Sequence, residues 1–275
     1  MSELSQPNAR GRIIMGKIST RHLSLVFLFL FIFTVSVSAA KEDYLGQCIQ
    51  KKDQGNYAQA ATYCSQALAE DPDYVDALYW RGYSQAILKQ YDSAIADFSR
   101  VLQLQPLDVQ AWSARAGAYR RQGNFEKAMA DANKAIEIEP SYAESYMGRG
   151  LIWYDQQRYN EAIVDYSRAI ELNPRSASAY NARGAVYSRQ QRYDEAITDY
   201  SRAIELNPKS SLTYYNRGVA YRLQQLYDEA IADFSRTIEL NPRYADAYSN
   251  RGLAYQRLGM QEEATRDFDK AKSLK

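Results

Sequence analysis

Histidine and cysteine are scarce in this sequence of 275 residues. His22 is the one histidine, and Cys48 and Cys64 are the two cysteines. Imidazole is the side chain best suited to acid–base work near neutral pH and is the commonest metal ligand. Because His22 lies within the N-terminal segment 1–40, the rest of the chain cannot build a histidine-based triad, acid–base pair or metal site. We therefore predict that the protein is not an enzyme and has no catalytic residues, no metal site and no cofactor.

An excess of charge of either sign is also lacking. The chain has 34 basic and 33 acidic residues. Residues 1–40 carry four of the basic and one of the acidic residues, so the remainder holds 30 and 32 and has a net charge of −2. Nucleic-acid binding is typical of domains with a strongly basic surface. We expect no nucleic-acid partner.

Long apolar runs are absent apart from one uncharged stretch at 23–40, which follows basic residues and precedes charged ones. This order is typical of an export signal. The small residues Ser38 and Ala40 predict cleavage after Ala40, and translation from Met15 would give a basic region of ordinary length before the stretch. The stretch is also near the lower length limit for a bilayer span, so a retained membrane anchor is the alternative.

Both alternatives predict an exported protein. Residues 1–40 are then a signal peptide or an N-terminal membrane anchor, and membrane contact is expected only through them. Cleavage would leave the rest of the chain periplasmic or secreted, whereas an anchor would hold it on the outer side of the inner membrane.

Proline is sparse, and its positions are periodic. Six prolines follow one another at a step of 34 residues: Pro72, Pro106, Pro140, Pro174, Pro208 and Pro242. An alanine column has the same step: Ala60, Ala94, Ala128, Ala162, Ala196, Ala230 and Ala264. So does a glycine column, with Ala116 in phase: Gly82, Gly150, Gly184, Gly218 and Gly252. A fixed period of this length predicts a repeat architecture.

These columns resemble those of the tetratricopeptide repeat (TPR) family. The resemblance implies an all-α fold, a right-handed superhelical α-solenoid of about seven helix-turn-helix repeats over 41–275, with the first helices lining the concave side. Thr265 and Lys272 replace the isoleucines of earlier units, so we expect the stack to end there. The units are expected near 41–74, 75–108, 109–142, 143–176, 177–210, 211–244 and 245–275.

The fifth unit illustrates the expected helices. Helical spacing predicts one helix over about 177–190 and a second over about 194–207, with Asp194 as the N-cap of the second. Gly184 and Ala196 lack the bulk to separate the two backbones, so we interpret these columns as core.

An arginine column and an aspartate column lie sixteen residues apart in every unit from the second onward. In an antiparallel helix pair the two residues lie at similar heights, so we predict structural ion pairs. Carboxylate pairs such as Glu161 with Asp165 recur in phase, which favours a structural role over a hydrolase site. The predicted pairs are Arg81–Asp97, Arg115–Asp131, Arg149–Asp165, Arg183–Asp199, Arg217–Asp233 and Arg251–Asp267.

Cys48 and Cys64 have the same separation of sixteen residues. They replace the small residue and the aromatic residue that are expected to touch in the other units, so they should face each other. In an oxidising compartment this predicts a disulfide in the first unit. Two buried free thiols are the alternative.

The residues expected to line the groove are unusually apolar for a surface. We predict an extended or helical partner segment, apolar with acidic flanks, anchored by Tyr83, Tyr154 and Tyr215. The alternative is that packing between repeats buries these rings. The lysine–asparagine clamp of some TPR proteins has no match, and Asn216 and Asn250 match only two rungs of an asparagine ladder. The candidate residues are Tyr79, Tyr83, Arg120, Met147, Leu151, Tyr154, Asn181, Arg189, Tyr215, Asn216, Val219, Arg222 and Asn250.

The function predicted from these features is a non-catalytic protein–protein interaction scaffold outside the cytoplasm, which binds a peptide segment or a partner helix in its concave groove. The alternative is a structural or self-associating envelope assembly factor without a defined peptide ligand.

Overall fold

The computed structural model describes residues 40–274, so the predicted export segment lies outside the described residues except for Ala40. Within this range the chain forms fourteen helices and no strand. The first, α1, covers 40–53. The others are α2 (Tyr57–Glu70), α3 (Val75–Ile87), α4 (Tyr91–Leu104), α5 (Val109–Gln122), α6 (Phe125–Ile138), α7 (Ala143–Asp155), α8 (Tyr159–Leu172), α9 (Ala177–Arg189), α10 (Tyr193–Leu206), α11 (Ser211–Leu223), α12 (Tyr227–Leu240), α13 (Ala245–Arg257) and α14 (Gln261–Ser273).

Helices α3 to α14 pack as six antiparallel pairs, each of which contacts the next pair, and the Cys48–Cys64 disulfide joins α1 to α2 as a seventh. First helices of neighbouring units touch across the stack, as in α3 with α5, α5 with α7, α9 with α11 and α11 with α13. Within 40–274 no two second helices make a comparable contact. The first helices therefore form an inner row, and the fold is the predicted all-α solenoid. In this part of the chain no helix is long and apolar enough to span a bilayer.

Complementary size explains how the two helices of a unit approach. A Cβ atom added to Gly184 would lie 2.9 Å from Cε1 of Tyr200, and one added to Gly150 would lie 2.5 Å from Cε1 of Tyr166. The third unit has a different solution, because Ala116 shares a buried cluster with Ala132. A large ring on one helix thus requires glycine on the other, and two alanines fill the same space.

The start of the second helix differs from the prediction for the fifth unit. Arg192, not Asp194, is the N-cap of α10, and its side chain makes no capping bond. Asp194 lies in the first helical turn, where its negative charge is favourable near the helix N-terminus. Its carboxylate accepts a hydrogen bond of 2.7 Å from Nε2 of Gln224 in the next unit. The helix ends at Leu206 because Asn207, the residue before Pro208, has a non-helical backbone.

Candidate functional site

The inner row contains a small apolar pocket between the second and third units. It has a volume of about 250 Å³, and Tyr79, Tyr83 and Ile87 of α3 form one wall. The opposite wall includes Gly117 of α5, where an added Cβ would meet no atom within 4 Å. Tyr142, the N-cap residue of α7 at the end of the third unit, also borders the pocket. The pocket exists because glycine leaves empty the place that Tyr83 and Leu151 fill in neighbouring units.

Tyr79 and Tyr83 have different surroundings, although both line this pocket. The Tyr79 ring packs edge-on against Trp80 and Phe98, with centroid distances of 5.0 and 5.7 Å, and burial raises the pKa of Tyr79 to about 12. Tyr83 is 36% exposed and lies 6.3 Å from the Tyr57 ring. Tyr79 is thus mainly a packing residue, and Tyr83 presents its ring to the groove.

A second depression of about 350 Å³ lies between the fourth and sixth units, bordered by Tyr154, Arg189, Tyr215 and Val219. Nε of Arg189 donates a 3.1 Å hydrogen bond to the Tyr154 hydroxyl, and this bond raises the pKa of Arg189. The Tyr215 ring stacks on Tyr244 at 4.9 Å, and burial raises the Tyr215 pKa. Both tyrosines are half-buried and join neighbouring units while one side of each borders the depression.

Met147 and Leu151 are less accessible than a free groove wall would be. Both are half-buried and pack with Tyr154 against a core cluster that contains Tyr166 and Val186. These residues therefore pack between repeats, as the alternative predicted, and also leave part of their surface in the groove.

The three candidate asparagines contact one another or a tyrosine. Nδ2 of Asn216 donates to Oδ1 of Asn181 over 3.2 Å. Nδ2 of Asn250 donates to the Tyr215 hydroxyl over 3.2 Å and to the backbone oxygen of Asp246 over 2.9 Å. These bonds connect the fifth, sixth and seventh units along the inner row.

Arg120 is already paired within the solenoid. Its Nη1 lies 2.5 Å from Oδ2 of Asp155 on the next first helix. Arg222 differs, since its Nε atom is buried and has no hydrogen-bond partner within the described residues. Of the predicted groove arginines, Arg120 and Arg189 have partners inside the stack.

All six arginine–aspartate pairs are present, and each has a bidentate geometry. In the fifth unit, Nε and Nη2 of Arg183 donate to the two carboxylate oxygens of Asp199, both at 2.8 Å, which raises the Arg183 pKa. The third donor, Nη1, reaches Ser167 of the preceding unit at 2.9 Å. All six aspartates are buried, and each pairs with an arginine on the other helix of its unit. The six pairs are Arg81–Asp97, Arg115–Asp131, Arg149–Asp165, Arg183–Asp199, Arg217–Asp233 and Arg251–Asp267.

Cys48 and Cys64 form a disulfide between α1 and α2, with their Cα atoms 5.4 Å apart. Both cysteines are fully buried. They occupy the positions that hold a glycine and a ring in every later unit except the third, which has two alanines. Within 40–274 no group of histidine, cysteine, aspartate and glutamate side chains is arranged to hold a metal ion.

Two parts of the site were missed by sequence reasoning. Gly117 and Tyr142 border the apolar pocket, but neither was a candidate. A glycine in a column that otherwise holds isoleucine, tyrosine, leucine, alanine or valine could have indicated the gap at residue 117. The recurring tyrosines at 74, 142 and 244, two residues after a proline, could have indicated Tyr142.

Sequence models of the tetratricopeptide repeat match most of the chain from residue 51 onward. The chain therefore belongs to the TPR family, as predicted. A search of the curated proteins finds no match. Models described as "Tetratricopeptide repeat" match 51–106, 88–143, 177–210, 200–232 and 245–275, and one described as "TPR repeat" matches 150–191 and 220–259.

Several solved structures share the fold. A TPR protein from Parabacteroides merdae ATCC 43184 is 23% identical, with 86% of this chain and 93% of that chain covered and a TM-score of 0.62. MamA is 30% identical over 58% of this chain and 93% of its own, with a TM-score of 0.55. YrrB, described as a TPR protein with an unusual peptide-binding site, is 25% identical over 65% and 92%, with a TM-score of 0.55.

Proposed function

We propose that the protein is an interaction scaffold that binds an apolar peptide segment or partner helix along its inner row. The observation that carries this proposal is the pocket between α3 and α5, where Tyr83 is exposed and Gly117 leaves space for a ligand side chain. Apolar pockets with an aromatic wall are where binding energy concentrates in interfaces. Peptide binding by YrrB, a similar TPR protein, supports the same class of ligand.

The pocket is of a size that suits one ligand side chain. Its volume of about 250 Å³ is below that of a typical small-molecule site, which is a few hundred to about 1,000 Å³. The second depression lies two units further along the inner row. A segment crossing from one to the other could place an apolar side chain in each, which suits a polypeptide partner.

A substitution that fills the pocket tests this function. Gly117→Leu should not disturb the backbone, since an added Cβ meets nothing within 4 Å and leucine favours helix more than glycine does. Peptides would be selected on the wild-type domain from a random displayed library, and their affinities measured by calorimetry. We expect Gly117→Leu to weaken binding by about tenfold or more, because it occupies the ligand's place.

Ala130→Leu is the matched control. Ala130 is exposed on α6, and the corresponding residue of α8, Val164, is 67% exposed, so an apolar side chain is tolerated there. This variant adds the same side chain to the same unit outside the inner row and should leave affinity unchanged. If both variants bind the selected peptides like the wild type, the inner row is not the binding surface. If no peptide is selected and the domain oligomerises in light scattering, the self-associating alternative replaces the proposal.

We further propose that the protein is exported. Two features support this: the uncharged stretch at 23–40 behind basic residues, and a cysteine pair placed to form a disulfide, which persists in oxidising compartments. Mass spectrometry of the protein from its native source should find an N terminus at Lys41 if the segment is cleaved. Thiol titration of the same protein without reductant should find no free thiol. An intact N terminus with membrane fractionation would indicate the anchor, and two free thiols in a soluble cytoplasmic fraction would contradict export.

A further inference from the structure

Neighbouring first helices of the solenoid are linked by side chains thirty-five residues apart. Arg120 of α5 contacts Asp155 of α7 in this way, and Tyr154 of α7 contacts Arg189 of α9. In each case a polar group on one helix meets a complementary group on the next. The contact thus joins adjacent units along the inner row.

The same relation between α11 and α13 brings two arginines together. Arg222 occupies the place of Arg120, and Arg257, thirty-five residues later, occupies the place of Asp155. Both border one cavity of about 340 Å³, together with Leu223, Tyr227 and Leu253. Where the third and fourth units have a cation beside an anion, the sixth and seventh have two cations.

Neither guanidinium is neutralised by the solenoid. Among the described residues, the side chains of Arg222 and Arg257 form no ion pair, in contrast to Arg120. Nε of Arg222 is buried without a partner, and a buried donor without an acceptor is unfavourable. Two like charges that share a cavity also repel each other. A bound anion would satisfy the donor and remove the repulsion.

We propose that this cavity, the arginine cavity, binds a carboxylate of the peptide that lies along the inner row. Arginine presents parallel donors that match the two oxygens of a carboxylate. Leu223 and Leu253 would contact the apolar part of the same residue. The inference rests on the proposed function and extends it, since it places the acidic end of an apolar ligand beside the sixth and seventh units. The carboxylate comes from an acidic side chain or from the C terminus of the ligand.

Peptides that differ only in charge test the arginine cavity. The parent would be an apolar peptide selected on the wild type, carrying one aspartate and a free C terminus. Versions with asparagine, with an amidated C terminus, or with both changes separate the two sources of carboxylate. We expect the doubly neutral version to bind the wild type roughly tenfold more weakly than the parent. Equal affinities of all four versions would overturn the proposal.

Arg257→Asp supplies the anion from the protein itself and recreates the arrangement of Arg120 with Asp155. This variant should melt at a higher temperature than the wild type. It should bind all four peptides equally, with the low affinity that the wild type has for the doubly neutral peptide. Arg243→Asp, which makes the same charge change at an exposed arginine in the turn before α13, is the control for net charge and should keep the preference for the parent. A preference retained by Arg257→Asp would overturn the proposal.

A peptide-free measurement separates failure of the arginine cavity from failure of the groove. Citrate, compared with chloride at equal ionic strength, should raise the melting temperature of the wild type but not of Arg257→Asp, because a ligand stabilises the state that binds it. Equal effects of citrate on the two proteins would exclude the cavity as an anion site. If the parent binds but the doubly neutral peptide does not bind at all, the apolar contacts contribute no affinity, and the proposed groove is contradicted.

Discussion

One residue near the end of each first helix has a left-handed backbone. Three units place glycine there, Gly55, Gly123 and Gly259, with φ between 75° and 88°. The other four place Lys89, Gln157, Gln191 or Gln225 there, with φ between 60° and 65°. The geometry closes the turn, as when the Arg192 amide donates to the Tyr187 carbonyl at 2.9 Å. A side chain with a Cβ destabilises this conformation by about 1–2 kcal/mol.

Gln191→Gly should therefore stabilise the protein. Removing the Cβ relieves the cost of the left-handed conformation, but glycine also gains entropy in the unfolded chain, which offsets part of that relief. The free energy of unfolding in urea should therefore rise by roughly 0.5–1 kcal/mol. The reverse change, Gly123→Ala, should destabilise by a similar amount, because its added Cβ meets no atom and only the backbone cost remains. A lower stability for Gln191→Gly would show that the turn imposes no strain.

This turn shows why residue-level details were harder to predict than the repeat itself. Three of the seven turns have glycine, which indicates a left-handed residue. The other four have the same backbone at glutamine or lysine, which gives no such indication in the sequence. The N-cap prediction for Asp194 was wrong for a related reason. Its carboxylate is used by Gln224 of the next unit, a contact that depends on how two units stack.

At the scale of the helices, the arginine–aspartate pairs connect three elements. Arg183 lies on α9, its partner Asp199 lies on α10, and its remaining donor reaches Ser167 on α8 of the preceding unit. The side chain of Asp199 is 6% exposed and that of Arg183 is 20% exposed. The pair therefore fixes both the two helices of a unit and the spacing of that unit from its neighbour.

Asp199→Ala should lower the melting temperature more than the double variant Asp199→Ala with Arg183→Leu. The single change leaves a largely buried guanidinium without its carboxylate, at a cost of about 3–5 kcal/mol, whereas the double change removes both charges. Thermal unfolding followed by circular dichroism would measure the order. Asp194→Ala, at an exposed carboxylate, should have a much smaller effect. If the double variant is the less stable of the two, Arg183 stabilises the fold even without its carboxylate, and the prediction of a costly unpaired charge is wrong.

The helix pairs and their ion pairs could be predicted because each depends on one unit and its fixed spacing. The exposure of groove residues could not, since it depends on the neighbouring unit. Tyr215 was a candidate anchor, yet the ring of Tyr244 covers one of its faces. Gly117 was overlooked because a pocket is defined by an absent side chain, and its depth is set by Tyr79 and Tyr83 on another unit.

At the scale of the molecule, stability is shared along the stack, and buried phenols are distributed through it. Burial raises the pKa of Tyr79 in the second unit and of Tyr200 in the fifth to about 12, and it also raises that of Tyr166 in the fourth. Each unit buries its apolar face only against its neighbours, so ionisation of a phenol in one unit weakens the interfaces on both sides. Alkaline pH should act on the solenoid as a whole.

We predict that the domain unfolds as the pH rises through about 12. The folded state binds the phenolic protons more tightly than the unfolded state, in which tyrosine has its ordinary pKa of about 10. The stability associated with neutral phenols is therefore complete below pH about 10 and is lost above it. Circular dichroism and tyrosinate absorbance, recorded together, should show loss of helix with ionisation. Tyr79→Phe with Tyr200→Phe should shift the transition to higher pH, whereas Tyr83→Phe, at an exposed ring, should not. An unchanged transition in the double variant would mean that these phenols do not limit alkaline stability.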